Sequence, residues 1–272
     1  MLRNYRQGAS DIAGFADDYA FLIHGLLDLY EADFDTAWLQ WALELQKKQD
    51  ELFWDEKNGG YFSAGADDPH ILIRMKEDYD GAEPSPNSIA ALNLLRLAQM
   101  ADSKDLRERS GKTIRAFSDQ LTRVPTAMPQ MFCAVDASLA KPRQIVLAGK
   151  PDGADARALL REVHAHFLPN KLLLFADGAS GQHWLGERLD FLKTVAPIDG
   201  KAAAYVCGNF VCQLPTTRSR SCVSCWPTSA EPAAAGGYPR CAPRNVTSRC
   251  QRSVRMLGVP LGWPAPSRVS LW

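Results

Sequence analysis

Asp18-Tyr19-Ala20-Phe21-Leu22-Ile23-His24-Gly25-Leu26-Leu27-Asp28-Leu29-Tyr30-Glu31 is apolar at helical spacing on more than one side. Phe15, Tyr19, Leu22, Leu26 and Leu29 follow the 3.6-residue period, and Ile23, Leu27 and Tyr30 fill a second stripe. A helix over residues 16–31 with apolar residues nearly all round is expected to be buried. Asp17 and Asp18 fall in its first turn, where negative charge complements the helix dipole.

Outward from this stretch the pattern alternates. Residues 35–53 read as a half-solvated helix, with Trp38, Trp41, Ala42, Leu45, Leu52 and Phe53 on one face and Gln40, Glu44, Lys47, Lys48 and Glu51 on the other. Asn58-Gly59-Gly60 between aromatic runs signals a tight hairpin. A loop from Ser63 to Pro86 leads to a third helix, with Ser85 as N-cap and Pro86 in the first helical position. That helix is broadly apolar, through Ile89, Leu92, Leu94, Leu95, Leu97 and Ala98. A fourth, about 103–123, is amphipathic, and a fifth runs from about Pro125 to Leu139.

Buried helices alternating with half-wet ones suggest two concentric rings, an α/α toroid. A plain helical bundle predicts the same pattern. Five helices are too few to close such a ring, so the expectation is part of one. From residue 142 the pattern changes to strand (144–148), helix (Asp152 as cap, through His166), strand (171–175) and strand (203–207). Strand–helix–strand implies a small parallel α/β unit.

The chain has 272 residues, with 31 basic and 31 acidic side chains. That balance hides a break. Residues 1–217 hold 23 basic and 30 acidic residues, whereas 218–272 hold eight Arg, no Lys and a single acidic residue, Glu231. The second stretch lacks periodicity and is rich in Ser, Pro and Cys, the composition that GC-rich DNA yields when read out of frame; a disordered basic tail is the alternative. Cys222, Cys225, Cys241 and Cys250 are poorly spaced for a zinc ribbon, and Asn245-Val246-Thr247 is read as a chance sequon. No apolar run is long enough for a membrane span, and no apolar region follows the first residues as in a secretory signal. The expectation is a cytoplasmic protein without membrane or nucleic-acid partners.

Several segments carry a resemblance: Asp18 to Glu31, Leu52-Phe53-Trp54-Asp55, Gly59-Gly60-Tyr61-Phe62, Asp80-Gly-Ala-Glu83-Pro-Ser-Pro-Asn87-Ser88 and Ala204-Tyr-Val-Cys207-Gly-Asn-Phe-Val-Cys212-Gln-Leu-Pro215. In this order, over about residues 10–216, the chain resembles the thioredoxin-domain-containing family typified by spermatogenesis-associated protein 20. The resemblance implies a thioredoxin-like domain followed by a six-hairpin, glycosidase-like toroid. This chain would hold only the later part of that toroid, and the thioredoxin-type redox motif would lie outside it. The implied fold is mainly α: a partial toroid over 1–140, a small α/β unit over 141–217, and a disordered tail over 218–272.

Related toroids act on sugars, where two carboxylates flanking a bond supply acid and base or nucleophile. Asp18 starts one inner helix, and Asp80 and Glu83 precede the next; these are the catalytic candidates. His24, Trp54, Tyr61, Arg74 and Asn87 are candidates for substrate contact. Each has a plainer role: Asp18 as a dipole partner, Glu83 as a brace of its two-proline loop, His24 as a hydrogen-bonded core residue, Trp54 and Tyr61 as hairpin core. Cys207 and Cys212 could pair or serve a redox step, but reduced thiols are the norm inside cells, so a structural or free-thiol role is expected. No cofactor or metal motif is read. The functional expectation is carbohydrate-active chemistry, glycosidase- or epimerase-like. The alternatives are a non-catalytic scaffold, or an inactive truncated product that self-associates through unpaired toroid helices.

Overall fold

The computed structural model describes residues 1–218 except 6, 9–11, 67–70, 141–142, 209–210 and 213. The expectations for the basic tail, its four cysteines and its sequon lie outside the described residues. Helix α1 (Ala16–Asp33) is followed almost directly by α2 (Thr36–Phe53). Phe34 makes the reversal in the left-handed region at φ 63, its N–H bonding the carbonyl of Tyr30 at 2.7 Å. Asp35 then caps α2 by accepting the N–H of Ala37. Two short polar or strained residues thus fold α2 back along α1.

Helix α3 (Pro86–Met100) starts as its sequence dictates, with the Ser85 side chain accepting from the N–H of Ser88 and Pro86 in the first turn. It is buried along nearly its whole length, from Asn87 to Met100. Helix α4 (Lys104–Ala116), capped by Ser103, covers α3 from outside. The expected single helix over 103–123 is broken at Phe117. The Phe117 ring is buried in a cluster with Ile114, Leu121 and Met131, and a short helix α5 (Ser118–Arg123) resumes after it. The fifth helix divides too, into a 3₁₀ turn (Pro125–Ala127) and α6 (Pro129–Leu139). Each piece begins on a proline, and the residue before a proline is pushed out of the helical region; Met128 sits at φ −134, ψ 59.

Two readings of helix faces need correction. Helix α1 is not covered on all sides: Tyr19, Ile23, Leu26, Leu27 and Tyr30 are buried, but Gly25, Asp28 and Leu29 are exposed. Helix α2 turns a different face inward, made of Leu39, Ala42, Leu45, Gln46, Gln49 and Phe53, and leaves Trp41 and Leu52 exposed. The two glutamines lie inside because they have work there: the Gln49 amide nitrogen donates to the Ala16 carbonyl at 3.1 Å.

The four strands β1 (Arg143–Ala148), β2 (Lys171–Ala176), β3 (Ala203–Gly208) and β4 (Val211–Cys212) form one sheet in the order β2-β1-β3-β4. Strand β2 is parallel to β1, as the helix α7 (Ala154–His164) between them requires. Strand β3 is antiparallel to β1, so the sheet is mixed rather than parallel. A short helix α8 (Ser180–Gly186) and a 3₁₀ turn (Asp190–Thr194) carry the chain around to that other edge. The N-cap of α7 is Gly153, not Asp152, which instead pairs with Arg157 at 2.9 Å.

Alternate residues of the sheet face opposite layers. Ile145, Leu147, Leu173, Phe175 and Val206 pack with Ala156, Leu159 and Val163 of α7. Val146, Ala148, Leu172, Leu174 and Ala176 join the cluster built by α1, α2 and α3. Both faces are covered, which explains the short, continuously apolar strands.

The hairpin after α2 is tight as expected. Trp54 and Tyr61 pair across it, and Gly59 and Gly60 both take positive φ, 73 and 76. A Cβ on Gly59 would lie 2.9 Å from the Lys112 carbonyl oxygen in α4. Gly59→Ala is therefore expected to cost about 1–3 kcal/mol, from backbone strain plus displacement of a helix. Urea denaturation of the two chains measures it.

Candidate functional site

Helices α1 and α3 run side by side in the same direction. Asn93 of α3 donates to the Ala20 carbonyl at 2.8 Å and meets His24 at 2.9 Å, while Arg96, one turn on, reaches Asp28 at 2.7 Å and Glu31 at 3.3 Å. Both helices therefore begin at one end of the molecule. Helix α2, antiparallel to α1, delivers the 54–62 hairpin to the same end. The hairpin is clamped there by Asn87: its Oδ1 accepts the N–H of Tyr61 at 2.7 Å and its Nδ2 donates to the Tyr61 carbonyl at 2.9 Å. Asn87 thus acts on backbone, in a fully buried position.

The carboxylates at this end have different surroundings. Asp18 accepts the N–H of Phe15 at 2.8 Å and pairs with Arg3 at 3.4 Å. It closes the first turn of α1 in the manner of a capping box. Asp80 is nearly buried, and its two oxygens accept three backbone N–H groups: Ser85 at 2.8 Å, Gln130 at 2.8 Å and Met131 at 3.3 Å. It ties the loop before α3 to the first turn of α6. Glu83 is exposed, and its carboxylate engages no partner among the described residues.

Arg74 lies across the Phe62 ring at 4.2 Å and donates to the carbonyls of Ala64 and Leu52, both at 2.9 Å. It pins the long loop to the end of α2. His24 stands more than a turn along α1, held by Asn93 and 3.8 Å from Asp28. Trp54 and Tyr61 meet edge-to-face, with ring centroids 5.2 Å apart, and the Arg109 guanidinium lies over the Trp54 ring at 5.1 Å.

That last contact leads to a group of residues that sequence reasoning passes over. The Tyr61 ring is buried, and its hydroxyl donates to Asp50 at 2.6 Å. The Gln46 amide nitrogen donates to the same Asp50 oxygen at 2.9 Å and to the Tyr61 hydroxyl at 3.1 Å. Arg109 reaches across from α4, 3.9 Å from Asp50 and 3.1 Å from Asp105. Burial raises the pKa of Asp50, against the hydrogen bonds from Tyr61 and Gln46 and the charge of Arg109. Burial, with Asp50 beside it, pushes the Tyr61 phenol well above its usual value. Beside this network, between α2 and α4, opens a cavity of about 420 Å³.

Among the described residues, no group of three or more His, Cys, Asp or Glu side chains is placed to hold a metal ion. Among the described residues, no helix is long and apolar enough to cross a membrane. Cys133 is a free, exposed thiol. Whether Cys207 pairs was left open by the sequence; it is disulfide-bonded, and the residue registered opposite it across β3 and β4 is Cys212.

These features define a mainly helical protein with a small mixed sheet that shares an apolar cluster with α1, α2 and α3. No protein-family model matches the chain. The chain is homologous to spermatogenesis-associated protein 20: the human protein is 45% identical over 205 residues, which is 75% of this chain and 26% of the relative. The rat protein is 44% identical over 205 residues and the mouse protein 44% over 208, each with the same shares covered. The chain therefore spans about a quarter of the length of the curated relatives it matches.

Proposed function

We propose that this chain is a ring segment of a glycosidase-like α/α toroid, within a protein of the spermatogenesis-associated protein 20 type that carries a thioredoxin-like domain elsewhere. Residues 1–140 supply the ring segment, and residues 141–217 the α/β unit beside it. The segment works as a non-catalytic scaffold. The observation that carries this reading is the employment of the two inner carboxylates: Asp80 holds three backbone amides, and Asp18 one amide and Arg3. A carboxylate with its lone pairs committed to fixed donors is poorly placed to pass protons to a sugar.

The experiment is to titrate the full chain with a panel of monosaccharides and aryl glycosides, following binding by tryptophan fluorescence and cleavage by chromophore release. The scaffold reading expects no turnover above that of Asp80→Asn and Glu83→Gln. Turnover that disappears in Glu83→Gln overturns it. It would favour the second reading, carbohydrate-active acid/base chemistry, to which the exposed, unengaged Glu83 at the shared end of α1 and α3 lends support.

A further inference from the structure

We propose that residues 71–79, in the loop before α3, form a docking surface for an extended, basic segment of another protein. The stretch reads Ile71-Leu72-Ile73-Arg74-Met75-Lys76-Glu77-Asp78-Tyr79, a mixture of apolar side chains and both signs of charge. The fold sorts them. Arg74 and Lys76 are half-buried and Asp80 is buried, while Ile73, Met75, Glu77 and Tyr79 are exposed. That alternation is the two-residue period of an extended chain, and Asp78 alone departs from it by facing water. Both cations are consumed by the fold: Arg74 lies over the Phe62 ring and donates to the Ala64 and Leu52 carbonyls, and Lys76 donates to Asp55 and the Gly59 carbonyl. The backbone is tied down as well, with the Ser63 N–H donating to the Met75 carbonyl at 2.8 Å and the Asp80 N–H to the Ala127 carbonyl at 2.7 Å.

What remains outside is apolar and negative. Leu72 is 97% exposed, Ile73 79%, Met75 69% and Tyr79 65%. Large apolar side chains held together in water at a fixed place in the fold mark an interaction surface. Glu77, Asp78 and, a few residues on, Glu83 are exposed, and their carboxylates engage no partner among the described residues. With Arg74 and Lys76 turned inward, no exposed cation offsets them over residues 71–83. Charge complementarity then selects the occupant: apolar side chains to cover Ile73, Met75 and Tyr79, with Lys or Arg between them to meet the acids. A second copy of this face would set acid against acid, and an anionic membrane would be repelled. An extended partner matches the alternation, because its own side chains repeat at the same spacing. The inference rests on this loop alone and stands apart from the toroid reading.

The test is fluorescence anisotropy of a labelled peptide of alternating lysine and leucine, titrated with the full chain beside its glutamate–leucine counterpart. Saturable binding of the basic peptide, weakening as salt is raised, and no binding of the acidic one is expected. Ile73→Ser combined with Met75→Ser, both at exposed side chains, is expected to weaken the basic peptide about tenfold, the scale of truncated interface anchors. Glu77→Lys is expected to weaken it about threefold or more, as for an exposed ion pair replaced by like charges. Circular dichroism checks that each variant is folded, and either variant suffices for the comparison. No saturable binding, equal binding of the two peptides, or an affinity unmoved by the variants overturns the proposal. So does a dimer in sedimentation equilibrium, or binding to phosphatidylcholine vesicles, that the Ile73 and Met75 substitutions abolish, since either would give this face to a second copy or to a membrane.

Discussion

Asp80→Asn is expected to lower the stability of the chain by about 2–4 kcal/mol, as for a buried polar group whose partners lose their acceptor. The substitution is nearly isosteric, so shape is preserved and only the chemistry changes. One side-chain oxygen becomes an NH₂ group facing backbone donors: Ser85 on one side, or Gln130 and Met131 on the other. The lost charge also sat at the start of α6, where the helix dipole favours it. The loop before α3 and the first turn of α6 should loosen together. Urea denaturation followed by far-ultraviolet circular dichroism measures the loss. A midpoint unchanged from wild type would mean that the three amides do not depend on this carboxylate, and would return Asp80 to the candidates for catalysis.

Lys76→Met should cost about 3 kcal/mol near neutral pH, because it strands a charge in a nearly buried place. Lys76 donates to Asp55 at 2.7 Å and to the Gly59 carbonyl at 2.5 Å, and the two side chains of the pair are only 17% and 9% exposed. Burial favours the protonated form of Asp55, but hydrogen bonds from Lys76, Asn58 and the Lys57 N–H outweigh it and hold the carboxyl well below its usual range. An unfolded Asp titrates near about 3.9. The stabilisation from Asp55 is therefore full above that pH and drains away as the pH falls through the folded value. Wild-type stability should decline below about pH 4, and the decline should be shallower in Lys76→Met. Equal slopes for the two chains would place the acid sensitivity elsewhere.

The alternation of helix types is written plainly in the sequence, since the interior of α3 admits almost no charge and the surface of α4 little else. Ser85-Pro86 and Asn58-Gly59-Gly60 mark a helix start and a turn through local chemistry alone. The inward face of α2 is less legible, because Gln46 and Gln49 point inward for hydrogen bonds that exist only once α1 and the hairpin are in place. The direction of β3 is likewise set by a connection containing α8, too short to show a period. Among the site residues, Trp54 and Tyr61 stand out as aromatics flanking a turn. Asp50, Gln46 and Arg109 do not: polar residues on an amphipathic helix read as a wet surface until a second helix covers them. Asp80 looks catalytic in the sequence because a buried clamp and a buried acid use the same side chain.

The inner strand residues Val146, Ala148, Leu172 and Leu174 share one apolar cluster with Tyr19, Ile23, Leu27 and Leu94 of the helices. Heat cannot strip the sheet away without baring the flank of α1 and α3 to water, nor unravel those helices without exposing the sheet. The two halves are bound to a common fate, so damage at either end, a strand edge or a helix cap, is felt across the whole body.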